Sequence, residues 1–323
     1  RDGIVCVGRD KGLSVFDGER WTTYRSSEGL PTDDVRSVFV DDTRTLYVGT
    51  SRGLSIYDGR FWTTYTSADG LAATGVTAVF VDASGTVYAG STSGLSVYDG
   101  QSWITFTSQT GLASDLVTSL AVDRAGRLYV GSPNGLSILD DGTWTTVSSA
   151  NGLANDQVND VFVDRAGAVY VGTNAGLSVR PVLHWSTHTV ANGLPDNRVT
   201  SVYADATGYI YAGIPNGVAV YDGKGWTTHK IRFGAFMRDS ERNGVTCVHG
   251  NGSGLICVGT KKSGVHMFDG ERWRWNPPVE SYVTFTDQDT IVRYPAAGAK
   301  FAGKVFAVFG LVMFAFTLMT YSL

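Results

Sequence analysis

The chain has 323 residues, 43% of them apolar and only 17% charged, with 40 Gly, 15 Phe, 15 Tyr and 8 Trp. That apolar content excludes a disordered chain, and a net charge of −4 excludes a nucleic-acid binder working through a basic surface. Cys6, Cys247 and Cys257 are too few and too irregularly spaced for a disulfide framework, and no Cys/His zinc spacing occurs.

An internal repeat dominates what remains. Trp21, Trp62, Trp103, Trp144, Trp185 and Trp226 follow one another at intervals of 41 residues, and Trp273 comes after 47. A glycine nine residues before each Trp keeps the same beat, from Gly12 to Gly264. Seven units of 41 and a six-residue insertion account for all but thirty residues. Within the third unit, Val76, Val79 and Val81 mark a β-branched run that stops at Asp82, and a turn through Gly85 leads into 87–89. Gly94 opens a third run over 95–98, Asp99-Gly100 is a hairpin signal, and 103–107 is the fourth run. Four short antiparallel strands joined by glycine-bearing turns make one blade of a β-propeller. The spacing leaves no room for the amphipathic helices of a helical solenoid.

The chain begins beyond the place of a first strand, because Gly3 holds the turn position of Gly85. The segment 281–287 (SYVTFTD) alternates in polarity and supplies the missing strand. The expected fold is therefore all-β: a seven-bladed β-propeller over 1–292 whose first blade is completed by this C-terminal strand. Joining the termini in one blade removes open sheet edges.

The runs GLSVYDGxxWTTYT, NGL and VxxVFVDxxGxxYVGT resemble the two-component regulator propeller repeat over residues 1 to about 290. The resemblance implies the propeller fold and, in bacteria, the periplasmic sensor half of hybrid histidine kinases. This chain departs from that pattern: it carries no kinase, no response regulator and no Ig-like domain before the membrane. Tyr47, Tyr88, Tyr129, Tyr170 and Tyr211 also stand where many relatives would have Trp.

Most repeated side chains invite a structural reading. The Asp of each DxxG turn (Asp82, Asp123, Asp164, Asp205) resembles a calcium loop, but one carboxylate per turn cannot supply six to eight oxygens. It is expected to cap its own turn. The repeated Trp should pack between blades, with its indole N–H bonded in the next strand. Cys6 and Cys257 replace the strand tyrosine as core residues. His184, His188, His229, His249 and His266 fall in the last three blades; His184 and His188 flank Trp185 in a strand, without a third ligand for a metal. No catalytic motif and no cofactor signature is present, so no enzyme activity, metal or cofactor is expected.

Between blades six and seven the usual linker becomes KIRFGAFMRDSERNG, carrying Lys230, Arg232, Phe233, Phe236, Met237, Arg238 and Arg242. Exposed aromatic and Arg residues are interaction anchors, so this loop is the candidate docking site for a partner; the alternative is a loop folded onto its own blade. Charge is uneven around the ring. No Lys or Arg occurs between 61 and 123 against five Asp, whereas 224–304 holds 12 Lys or Arg against seven acidic residues. The basic arc reads either as ordinary solvated surface or as a face tipped towards anionic lipid headgroups or an acidic subunit.

The chain opens at Arg1 without a Met, so targeting is not legible there. Residues 305–323 form 19 uncharged positions with four Phe and two Met. At about 1.5 Å per residue they reach about 28 Å, near the thickness of a bilayer core. They read as a transmembrane helix, preceded by a basic linker over 293–304. Arg293, Lys300 and Lys304 precede the span and no cation follows it, which places the propeller on the cytoplasmic or matrix side. With nothing sizeable expected beyond Leu323, the leading reading is a non-catalytic, single-pass accessory or scaffold subunit of a larger membrane complex, respiratory or photosynthetic. Its partners would be other subunits, met through the helix and the basic face of blades six and seven. The alternative is a ligand-sensing propeller, which requires a polar pocket lined by aromatics and a propeller outside the cytoplasm. A propeller lyase or hydrolase is a third reading.

Overall fold

The computed structural model describes residues 5–16, 20–181, 183–231, 244–250, 255–260, 264–268 and 272–276. Among them are seven antiparallel sheets, six of four strands and one of three. Each sheet is a meander taken in chain order, and together they are the seven blades of a propeller. The three-stranded first blade (Val5–Arg9, Gly12–Phe16, Trp21–Tyr24) lacks an innermost strand among the described residues. The segment 281–287 expected to supply it lies outside them, as do the linker 293–304 and the span 305–323. No helix among the described residues is long and apolar enough to cross a membrane.

Both faces of a blade are apolar, so the core lies between neighbouring blades. One cluster joins Leu95 to Val117 and Leu120 across blades three and four; another joins Tyr211 and Val218 to Val245 and Val248 across six and seven. Val7 of the first blade packs with Cys247, Cys257 and Met267 of the seventh, which closes the ring. The buried Cys6 and Cys257 occupy the tyrosine position of the second strand, in agreement with the repeat.

Glycine sets the blade spacing. In the second strand of blade three, a Cβ on Gly90 would collide with Val117 Cγ1 of the next blade, so only a bare backbone lets the sheets approach. The linker glycine has the same duty at the rim. Gly111 (φ +131°) ends a turn after the outermost strand of blade three, and its missing Cβ leaves room for the indole of Trp144.

Five of the seven repeated Trp therefore pack between blades without the expected hydrogen bond. The indole nitrogens of Trp62, Trp103, Trp144, Trp226 and Trp273 are buried without a hydrogen-bond partner among the described residues. The surroundings are aromatic instead. Trp103 lies 4.9 Å from the Tyr98 ring of its own blade and meets Tyr65 of the preceding blade edge-to-face at 5.7 Å. Edge-to-face contacts of the same kind join Trp62 to Tyr24, Trp144 to Phe106 and Trp226 to His188. The attraction between a ring's positive edge and another's negative face compensates part of the missing bond.

The DxxG turns are capped as expected, with an addition. Asp82 Oδ1 accepts the N–H groups of Ser84 (2.9 Å) and Thr86 (3.0 Å), while Oδ2 accepts the hydroxyl of Tyr88 (3.0 Å). Asp41, Asp123, Asp164 and Asp205 hold Tyr47, Tyr129, Tyr170 and Tyr211 in the same way. The Tyr of this chain thus gives its second strand a hydroxyl that ties it to the turn. Burial and the neighbouring Asp41 push the Tyr47 hydroxyl up to about 12.

Linker and strand are matched across blades. The N–H groups of Ala72, Ala113 and Ala154 donate to Ser96, Ser137 and Ser178 of the following blade at 2.7–2.8 Å. Pro195 stands at the linker position of blade five and has no N–H to donate; the facing residue is Ala219, which has no hydroxyl. Where Pro31 stands, Ser55 pairs with Thr64 instead (2.8 Å).

These contacts separate two glycines of positive φ. Gly100 (φ +94°) faces open space, with nothing within 4 Å of the place a methyl would take, so Gly100→Ala should destabilise by only about 1 kcal/mol. Gly111→Ala adds overpacking against Trp144 and should lose about 3 kcal/mol or more, read from urea unfolding midpoints.

Candidate functional site

The innermost strands of blades two to seven (Val35–Val40, Val76–Val81, Ser119–Val122, Val158–Val163, Ser201–Ala204 and Val245–Gly250) surround a central channel. It encloses a cavity of about 210 Å³. Because the blades share one repeat, corresponding residues form tiers.

The first tier is Arg36, Thr77, Thr118, Asn159, Thr200 and Thr246. Its side chains tie neighbouring blades together: Thr77, Thr118 and Thr200 donate to the carbonyls of Val117, Val158 and Val245 in the next blade, at 2.8–2.9 Å. Asn159 Nδ2 donates to Val199 O at 2.8 Å. Among the described residues, Arg36 is the single cation of this tier. It is exposed and pairs with Asp34 at 3.1 Å through one side of the guanidinium.

The second tier is Ser37, Ala78, Ser119, Asp160, Ser201 and Cys247. Asp160 is the exception in a row of small residues. Its Oδ1 accepts from Ser119 Oγ and Val161 N–H, and its Oδ2 from Ser201 Oγ and Val202 N–H, all at 2.9 Å. The carboxylate thus clasps blades four, five and six. Burial raises its pKa above the ordinary carboxylate range, opposed by those four hydrogen bonds. Ser37, Ser119 and Ser201 perform the smaller version of this task, accepting the N–H groups of Val79, Val161 and Val248.

The third tier carries Phe39, Phe80, Ala121, Phe162 and His249. Phe39 and Phe80 lie 5.1 Å apart, and Tyr203 bridges Phe162 (5.1 Å) to His249 (5.4 Å). The His249 Nε2 is buried without a partner among the described residues, as is that of His266. Burial depresses both imidazoles to about 4.

The other sequence-derived candidates are dispersed. His188 does not form a pair with His184: the strand begins at Ser186, His184 is exposed, and His188 packs against Tyr221 and Trp226. His229 lies against Phe268 and Trp273. No group of three or more His, Cys, Asp or Glu among the described residues is placed to hold a metal. Lys230 is exposed at the end of an outermost strand, whereas Arg232, Phe233, Phe236, Met237, Arg238 and Arg242 lie outside the described residues, as do Arg293, Lys300 and Lys304. The acidic arc is largely a set of turn caps: Asp69, Asp82, Asp99 and Asp115 all accept backbone N–H groups. Sequence reasoning misses Asp160 and sees His249 only as one of five histidines, although each breaks the repeat at its tier.

The tiers predict how stability responds to change. Asp160→Ala should cost about 3 kcal/mol by leaving two hydroxyls and an N–H unpaired, and Asp160→Ser, the residue of neighbouring blades, should recover much of it in urea unfolding. The two neutral histidines protonate more readily when unfolded, near pH 6.5. Their contribution is complete above that value and is lost as pH falls towards about 4. Each should remove up to about 3 kcal/mol, and His266→Ser should flatten the acid limb of a stability–pH curve.

No protein-family model matches the chain, and no curated protein does. Solved structures share the fold. The extracellular domain of a hybrid two-component system from B. thetaiotaomicron superposes with a TM-score of 0.71 at 21% identity, covering 84% of this chain and 38% of that one. The WD40 propeller domain of Doa1 gives 0.62 at 18% identity over 84% of this chain and 90% of that domain. Virginiamycin B lyase from Staphylococcus aureus gives 0.60 at 12% identity over 77% and 85%. The chain thus spans under two-fifths of the sensor ectodomain, and these likenesses concern the propeller alone.

Proposed function

We propose that the chain is a ligand-recognition propeller of the sensory kind, binding a small polar molecule at the channel mouth without chemical conversion. The observation that carries this reading is the channel itself, where one cavity combines the polar tier around Arg36 with the aromatic side chains of Phe39, Phe80 and Phe162. The threonine hydroxyls use their protons to bond the next blade, which leaves their lone pairs as acceptors for a ligand's hydroxyls. Arg36 keeps donors beyond those it gives to Asp34 and suits a carboxylate or a ring of hydroxyls. A saccharide-sized ligand fits a cavity of this volume. The fold likeness to a two-component ectodomain supports the sensory reading over the accessory-subunit one, whose docking loop and span lie outside the described residues.

In a thermal-shift screen of mono- and disaccharides and sugar acids, at least one compound should stabilise the protein. Arg36→Ala should weaken that binding at least about tenfold with little change in stability, since an exposed ion pair contributes under about 1 kcal/mol. A screen without a single binder, or a binder indifferent to Arg36, would count against the site. The sensory reading also puts the propeller outside the cytoplasm, opposite to the side drawn from Arg293, Lys300 and Lys304. Protease added to right-side-out membrane vesicles should then cleave it.

A further inference from the structure

Among the described residues, the repeat is broken on the outer rim between blades four and five. Blades two, three and six end their third strand in Tyr57, Tyr98 and Tyr221, each beside the blade's Trp; blade five ends it in Arg180. The preceding blade normally offers an aromatic ring to that Trp, and here it offers Val147. Blade five has also lost its Asp-Gly hairpin, which becomes Pro181-Val182-Leu183-His184. Instead of a filled aromatic ladder, a groove of about 410 Å³ opens, lined by Arg127, Arg180, Asp140, Asp141, Thr143 and Thr145 over a floor at Ile138.

The charges in this groove are held in place but not paired across it. The Arg180 guanidinium lies 5.3 Å from the Trp185 ring and 5.9 Å from the ring of Tyr129, and its Nη2 donates to the Tyr129 hydroxyl at 3.2 Å. That contact uses one of five N–H donors. Arg127 is fixed through Nε to the buried Asp123 at 2.6 Å, leaving its outer nitrogens. On the acidic side the hairpin differs from its counterparts. Asp58, Asp99 and Asp222 each accept two backbone N–H groups at 2.7–2.9 Å within a wider loop. In blade four the pairing continues to Asp140 and Thr143, and the turn tightens to Asp141-Gly142, both at positive φ (+46° and +76°). This two-residue turn removes the N–H groups that the Asp would cap. Neither the Asp140 nor the Asp141 carboxylate accepts a hydrogen bond or forms an ion pair among the described residues, although Asp140 is close enough to stabilise the Arg127 charge. Two guanidiniums and two carboxylates thus line one groove, each with free capacity.

We propose that this groove binds a small zwitterion, an amino acid being the chemical class that fits: its ammonium against Asp140 and Asp141, its carboxylate against Arg180 and Arg127. Neither a simple anion nor a simple cation suits a groove that presents both signs, because each would meet like charge at one end. The Thr143 and Thr145 hydroxyls can receive polar substituents, and Ile138 contributes an apolar floor. The site is separate from the channel mouth and does not depend on the channel's having a ligand.

The test is calorimetric titration and thermal shift of the full chain with each common L-amino acid, alongside its N-acetyl and carboxamide derivatives. At least one free amino acid should bind, with both blocked forms at least about tenfold weaker. Arg180→Tyr restores the repeat residue, so it should fold at least as well as the parent and lose at least about tenfold in affinity. Asp141→Asn retains a residue suited to positive φ and should weaken binding in the same direction. Lys224→Ala, on the hairpin of blade six, should leave binding unchanged. The proposal is overturned if no free amino acid binds, if either blocked form binds as well as the parent compound, or if Arg180→Tyr binds normally.

Discussion

A sheet with two apolar faces must be covered on both, and a ring of sheets covers every face only if neighbouring blades come close enough to exclude water. In this chain that approach is set where a second-strand glycine such as Gly90 meets a valine such as Val117 of the following blade. Close packing then brings polar side chains of one innermost strand within bonding distance of the next backbone, which is why Thr77, Thr118 and Thr200 can reach carbonyls in the following blade. The aromatic rim follows from the same spacing. Gly111 yields its Cβ volume to Trp144, and edge-to-face rings stand in for a hydrogen bond that the indole does not make. Apolar burial, backbone pairing and ring packing therefore share one geometric requirement.

Much of this architecture is legible along the chain. The Trp and Gly spacing, the β-branched runs and the Asp-Gly hairpins point to seven meanders, because these signals are local to one unit. The Asp of each DxxG turn is legible as a cap for the same reason. What escapes a linear reading is the partnership between positions that folding brings together. Tyr88 looks like a core aromatic until its hydroxyl is found on Asp82, and Pro195 looks like an ordinary linker residue until its repeat position is matched with that of Ala219 through the Ala154–Ser178 bond. The expected indole hydrogen bond fails on the same ground: the residues around Trp103 come from two blades, and the nearest are rings rather than acceptors.

The functional side chains are legible only as departures from a rule. Asp160 is one acidic residue among many in the sequence, yet among the described residues it is the sole carboxylate in a channel tier of Ser, Ala and Cys. Arg180 is one arginine among many, yet on the rim it replaces a tyrosine and lies beside two capless aspartates. Propellers of the same shape occur in a two-component ectodomain, in a WD40 protein and in a lyase. The shape consequently says little about chemistry, and the positions at which one blade differs from its siblings say more.

The complementary loss of an N–H at Pro195 and a hydroxyl at Ala219 bears on how such a toroid diversifies. What must match at this junction is a seam, made of the tail of one blade and the third strand of its successor. A copied or transplanted blade would arrive with half of someone else's seam: moved behind Ala113, blade six would meet a donor it has nothing to answer with. Shuffling a blade across this junction would leave a polar group without its answer even though the blades' outlines are interchangeable.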